Sequence, residues 1–338
     1  MTCDNQRCLL FGMVALLSLL LGNPPVAQSQ EGLATSGETQ ASASREEFKI
    51  WANGLPTGSV TMDPEKVKKL KAKEAKDTDG RIYFVDTPAL TVFRAPEESS
   101  NGCAVVVCPG GGYNALSWQK EGVELAQWFN TIGVTALVLK YRVPRRITDK
   151  IHWEPMQDVQ RAVRLVRLND TKYGIDSNRV GVLGFSAGGH LAVMAGVQFE
   201  TKSYEPIDEA DQQSARPDFI CPVYAAYLAD GYKDDKAELG SLITVTENTP
   251  PTFMAVSWDD KFRGAQSALL FSKLREHNVP AELHAYSKGG HGYGIRKSKN
   301  PVSTWHHHLE AWLKESGFLT PGKPGHESEK DPEPKPEK

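Results

Sequence analysis

Ser186 stands in Gly184-Phe185-Ser186-Ala187-Gly188, a G-x-S-x-G string set between a short apolar run, Val180 to Phe185, and a helix-forming stretch that opens at Ala187. A nucleophilic serine needs a sharp strand-to-helix turn that exposes its hydroxyl. Glycines two residues away on each side remove the Cβ atoms that would block such a turn. The amide of Ala187, at a helix N-terminus, then points at the negative charge that develops on an attacked carbonyl oxygen. The chemistry implied is nucleophilic acyl transfer.

That chemistry needs further oxyanion donors, a base and an acid to orient the base. Pro109-Gly110-Gly111-Gly112-Tyr113 follows the run Ala104 to Cys108, and consecutive glycines let the amides of Gly111 and Gly112 approach a carbonyl oxygen closely. A phosphate-binding reading of this loop fails, because neither G-x-G-x-x-G nor Gly-Lys-Ser/Thr occurs there. His291, within Gly289-Gly290-His291-Gly292 after the run Ala281 to Tyr286, sits on a glycine-rich loop where a general base can reach the nucleophile. Asp259 and Asp260 follow the run Thr252 to Val256. One of the pair should orient the imidazole and the other cap or face solvent, and Asp260 is preferred as the orienter. Tyr113, Trp118 and Trp258 neighbour these motifs and are candidate walls for a sugar ring or an aromatic acyl group. His190, four residues after Ser186, is expected to pack below the turn. His306, His307 and His308 are consecutive on a helix and fan out by about 100° each, so they do not converge on a metal. With neither HExxH nor Cys/His ligand spacing present, no metal and no cofactor is expected.

The elements that must position these residues alternate. Ala104–Cys108, Val134–Lys140, Val180–Phe185, Phe219–Tyr224, Thr252–Val256 and Ala281–Tyr286 read as strands. Helices are expected over Trp118–Phe129, Pro155–Lys172, from Ala187, Gln266–His277 and Ser303–Lys314. Strands alternating with helices of this length predict an α/β fold, a mostly parallel sheet covered on both faces, with its site beyond the carboxyl ends of the strands. Tyr141-Arg142 with Asp158 reads as a structural ion pair. The basic run Asp63 to Lys76 reads as a solvated helix face.

The two ends of the chain differ from the middle. Arg7 precedes an apolar run from Leu9 to Leu21, and the small residues Ala27 and Ser29 follow at cleavage-site spacing. At 13 residues the run is shorter than the roughly 18 to 20 needed to span a bilayer, so residues 1–29 are expected to be a signal peptide and the mature protein to be secreted or periplasmic, with no membrane span. Residues 30–46 read as a flexible linker, 47–320 as one catalytic domain and 321–338, with five prolines, as a disordered charged tail. The 39 Lys and Arg against 42 Asp and Glu leave no positive excess for a nucleic acid partner. Cys103, Cys108 and Cys221 would remain after cleavage, too few for a disulfide scaffold, and buried free thiols are expected.

CPGGGY, VTALVLKYR, the helix with Asp158 and Arg164, GVLGFSAGGH, RPDF, PPTF, the Asp pair and GGHGYG together resemble secreted bacterial α/β-hydrolases similar to acetyl xylan and feruloyl esterases. The likeness runs from about Ile50 to Leu319 and implies an α/β-hydrolase fold. It also implies Ser186 as nucleophile, Asp260 as orienter, His291 as base, and Gly111, Gly112 and Ala187 as oxyanion donors. Two departures stand out: Pro109 occupies the place of a histidine in HGGG-type relatives, and Lys261-Phe262 follows the Asp pair where many relatives have Val-Pro. The implied partner is a small-molecule or polysaccharide ester. The polar connection Ala225 to Thr249 lacks an apolar lid and argues against an interfacial lipase. A serine peptidase of the same fold, and a non-catalytic carbohydrate-binding module on a hydrolase scaffold, are the alternatives. Glycoside hydrolysis would need two carboxylates flanking a cleft, and no such pair stands out.

Overall fold

The computed structural model describes residues 45–320; the expected signal peptide, the expected tail and all but the last two residues of the expected linker lie outside the described residues. Strands β1 (Glu47–Lys49), β2 (Ala89–Phe93), β3 (Ala104–Cys108), β4 (Thr135–Lys140), β5 (Val180–Phe185), β6 (Phe219–Val223), β7 (Thr252–Ser257) and β8 (Ala281–Tyr286) form one sheet. Their order is β1-β2-β4-β3-β5-β6-β7-β8. β3 to β8 are parallel, as expected. β1 and β2 are additional antiparallel strands on the β4 edge. The helices are α1 (Pro64–Glu74), α2 (Glu124–Thr131), α3 (Trp153–Leu168), α4 (Asp170–Tyr173), α5 (Ala187–Val197), α6 (Arg263–Glu276) and α7 (Trp305–Glu315). The helix expected from Trp118 opens instead as a π-helical segment, Trp118–Val123, before α2 begins. Among the described residues no helix is long and apolar enough to cross a membrane.

The period of two along the strands divides the core. In β3, Ala104, Val106 and Cys108 face a layer containing Val159, Val163 and Leu191 of α3 and α5. Val105 and Val107 face a second layer with Phe129 of α2 and Leu309 and Leu313 of α7. Because both faces are covered, every residue of β3 and β5 is buried, which is why those strands read as continuous apolar runs. Cys103, Cys108 and Cys221 are free and buried, and burial pushes the Cys103 thiol up to about 12.

α3 is amphipathic, yet its polar side is buried as well. Asp158, fully buried, accepts from Trp51 Nε1 at 2.7 Å and from the Arg142 amide at 2.8 Å, and pairs with the Arg142 guanidinium at 2.8 Å. Arg142, equally buried, also donates to Gln157 Oε1 at 2.7 Å. One carboxylate thus ties the segment before β2, the end of β4 and helix α3 together. Asp158→Ala removes the closer of the two carboxylates that face the buried Arg142 charge, leaving Glu154 Oε1 at 3.4 Å, and a loss of about 3 kcal/mol is expected in urea unfolding at neutral pH. A loss below about 1 kcal/mol would show that water or neighbouring groups take over the guanidinium.

Candidate active site

Four loops leave the carboxyl ends of parallel strands: the glycine loop after β3, the serine turn after β5, the aspartate pair after β7 and the histidine loop after β8. Ser186 has φ 55° and ψ −114°, a region that a non-glycine residue occupies only when its surroundings over-determine it. Here the amide of Ser186 donates to Val223 O at 3.1 Å, and its carbonyl accepts from His190 N and Ala226 N, both at 3.0 Å. The flanking glycines are sterically required. A Cβ on Gly184 would stand 1.9 Å from Gly188 O, and one on Gly188 would stand 2.0 Å from Cys108 O.

Ser186, His291 and Asp260 meet in one hydrogen-bonded line. His291 Nε2 lies 2.8 Å from Ser186 Oγ, and its Nδ1 lies 2.6 Å from Asp260 Oδ2. Asp260 is only 4% exposed, so its charge needs compensation. The Arg263 guanidinium supplies it by pairing with the second carboxylate oxygen, and it reaches Asp234 Oδ2 at 2.6 Å as well. Asp259 has a different position. Its carboxylate accepts from the Gly289 and Gly290 amides at 3.1 and 2.8 Å, capping the turn that carries His291.

The glycine loop packs directly on the serine turn, since a Cβ on Gly110 would be 3.0 Å from Ser186 Cβ. Gly111 and Gly112 have φ of 137° and 65°. Gly111 O accepts from Asn114 N at 3.0 Å and Ala115 N at 3.2 Å, which closes the turn. Gly110 donates its amide to Glu121 Oε2 at 2.8 Å. Among the described residues the amides of Gly111, Gly112 and Ala187 have no acceptor, so they are open to an oxyanion.

Glu121, which sequence reasoning missed, is buried on the π-helical segment, and burial raises its pKa while the bonds to Tyr224 and Gly110 oppose the rise. Its Oε1 accepts from the Tyr224 hydroxyl at 2.9 Å. That hydroxyl accepts from Gly294 N at 3.2 Å, and the Tyr224 ring stands edge-on to His291 with centroids 5.0 Å apart. Lys120 donates to Gly292 O at 2.7 Å. The glycine and histidine loops therefore share one buried support. In the sequence Glu121 is marked only by standing one helical turn from Trp118 and from Leu125.

The aromatic expectations divide. Tyr113 is fully buried, with its hydroxyl 2.8 Å from His190 Nδ1, so it offers no open face to a sugar ring. Trp118 packs against both apolar layers, with the Lys140 ammonium 4.9 Å from its ring centroid. Trp258 alone of the three is open, at 78% exposure. A cavity of about 500 Å³ is lined instead by Tyr227, Tyr232, Lys233, Asp234, Lys261 and Phe262. The Tyr227 hydroxyl would be 3.3 Å from a Cβ on Gly112, which sets this cavity beside the glycine loop.

Behind the serine turn, His190 and His152 are buried with ring centroids 5.4 Å apart, and the Tyr232 hydroxyl hydrogen-bonds His152 at 3.0 Å. Desolvation, with Lys150 adding to it, holds His152 near pKa 4; burial and His152 hold His190 well below the usual range. The unfolded chain takes up these protons near pH 6.5, so the stability is present above that value and lost as pH falls toward 4. His152 alone is expected to cost about 2 kcal/mol between pH 7 and pH 5. Urea midpoints at the two values check this: His152→Gln should show a flatter pH dependence than the wild type, and equal slopes would refute it.

A family model described as BD-FAE matches residues 90–225. The chain is 28% identical over 268 residues to endo-1,4-beta-xylanase B of Butyrivibrio fibrisolvens, covering 75% of this chain and 41% of the relative. It is 28% identical over 285 residues to the acetylxylan esterase of Xylanibacter ruminicola, covering 80% and 54%. The chain thus spans about half the length of these curated relatives. The solved acetyl ester-xyloside bifunctional hydrolase of Caldicellulosiruptor lactoaceticus superposes with TM-score 0.63 at 32% identity, covering 81% of this chain and 97% of that one. With the parallel sheet, the strained serine turn and a relative matched over nearly its whole length, the chain belongs to the α/β-hydrolase esterase family.

Proposed function

We propose that this protein is an exported serine carboxylester hydrolase that removes acyl groups from small esters or from plant-type polysaccharide through a Ser186-His291-Asp260 triad. The observation that carries the reading is the unbroken hydrogen-bonded line from Asp260 through His291 to Ser186, with three unengaged amides beside it. In the first step His291 Nε2 takes the Ser186 proton as Oγ bonds to the ester carbonyl carbon, and the amides of Ala187 with Gly111 or Gly112 hold the oxyanion. Collapse breaks the bond to the alcohol, which leaves with the proton from His291. Water, deprotonated by the same histidine, then attacks the acyl-enzyme and releases the acid and Ser186. Asp260 orients the imidazole and faces its Nδ1 as positive charge develops there, with Arg263 holding its second oxygen.

The names of the relatives support acetylated xylan as the substrate class, and the cavity lined by Tyr227, Tyr232 and Phe262 suits a sugar unit that stacks on aromatic faces. Export rests on the charge, apolar run and cleavage spacing of residues 1–29.

Hydrolysis of p-nitrophenyl acetate tests the reading. Ser186→Ala is expected to lower turnover by at least about 10³-fold and Asp260→Asn by about 10²- to 10⁴-fold. Asp259→Asn, which disturbs only the cap on the histidine loop, should cost less than about tenfold. A wild-type protein that neither turns over nor reacts with a fluorophosphonate would overturn the esterase, and a larger loss from Asp259→Asn than from Asp260→Asn would overturn the assignment of the acid.

A further inference from the structure

Lys66, Leu70 and Lys73 are spaced by four and three residues, so they share one stripe of α1. None of this helix's residues is buried, yet the stripe is not plain surface. It forms one wall of a cleft of about 560 Å³ that Arg81 and Arg145 also line, together with Gly111 of the oxyanion loop. Four cations line this cleft and no carboxylate does. Two acids beside it are engaged. Glu74 accepts from the Tyr83 amide at 2.7 Å, and Asp77 from the Tyr83 hydroxyl at 2.8 Å and the Arg81 amide at 3.0 Å. Among the described residues none of the four cations joins an ion pair.

Like charges gathered in one concavity repel one another, and the field they focus raises the local concentration of anions. The cleft adjoins the reaction centre, because Gly111 follows Gly110, whose backbone packs on Ser186. Its remaining lining offers the Thr148 hydroxyl and the Asn114 amide, groups suited to sugar hydroxyls. We propose that this cleft is a subsite for an acidic sugar. Its carboxylate is held by Lys66, Lys73, Arg81 and Arg145 while an ester on the same saccharide reaches Ser186. The inference rests on the esterase reading and deepens it: the preferred substrate is an acylated polysaccharide decorated with uronic acid, rather than a neutral one.

The test compares acetylated xylo-oligosaccharides bearing a glucuronic acid branch with the same oligosaccharides after reduction of the carboxyl group to an alcohol, which keeps the shape and removes the charge. Wild type is expected to favour the acidic substrate by about tenfold in kcat/KM at low salt, the difference residing in KM. That ratio should fall toward one at high salt, where exposed charges are screened, and in the double variant Lys73→Gln/Arg145→Gln. A wild-type ratio near one, or a ratio that salt and the double variant leave unchanged, overturns the subsite. Failure of the esterase itself would appear separately, as no turnover of p-nitrophenyl acetate by wild type. In that case direct binding of the glucuronic acid oligosaccharide decides: salt-sensitive binding lost in the double variant sustains the cleft, and its absence overturns it.

Discussion

The close approach of three backbones at the serine turn is the constraint on which the rest of the site depends. Strand β5, the first turn of α5 and the end of β3 come so near that a Cβ at Gly184 or Gly188 would overlap a carbonyl oxygen. Only that compression lets Ser186 sit at positive φ with its hydroxyl raised above the sheet, and only a sheet buried on both faces is stiff enough to hold it there. The strain is carried by β6, the loop after it and the first turn of α5, through the bonds that Ser186 makes to Val223, Ala226 and His190. The same proximity places Gly110 against Ser186, so the glycine loop and the serine turn are fixed by one contact.

Much of this was legible in the sequence, because the signals involved are local. β-branched runs, the periodic face of α3 and glycines in fixed offsets from Ser186 and His291 each follow from nearest-neighbour sterics. The parallel strands and the hydrogen-bonded line of Ser186, His291 and Asp260 lie where those signals pointed. The antiparallel pair was not visible: β1 is three residues long with only one apolar side chain, and β2 gains its place by pairing with β4, 46 positions from its first residue to that strand's first.

What stayed hidden in the site is long-range as well. Glu121 and Tyr224 have no motif and their partners lie on other loops; Arg263 is three residues from Asp260, but its second partner, Asp234, is 29 positions away. The orientation of Tyr113 stayed hidden for a related reason. Neighbourhood in sequence does not say which way a ring turns, and the positive φ of Tyr113 turns it inward onto His190 while Tyr227, far along the chain, lines the cavity. The basic helix shows the converse. Its composition suggests solvent exposure, and α1 has no buried residue; what the composition did not show is that Arg81 and Arg145 line the same cleft as Lys66 and Lys73.

Arg263 joins two tasks. One end of its guanidinium holds the acid behind His291, and the other holds Asp234, a residue of the polar segment that walls the aromatic cavity. Asp234 in turn accepts the amide of Tyr227 at 2.8 Å. A change in that wall that displaces Asp234 is therefore felt by the imidazole three hydrogen bonds away, through Arg263 and Asp260. The lining of this cavity can therefore vary at Lys233, Asp235 and Phe262 without reaching the imidazole only while the Asp234-Arg263 pair holds.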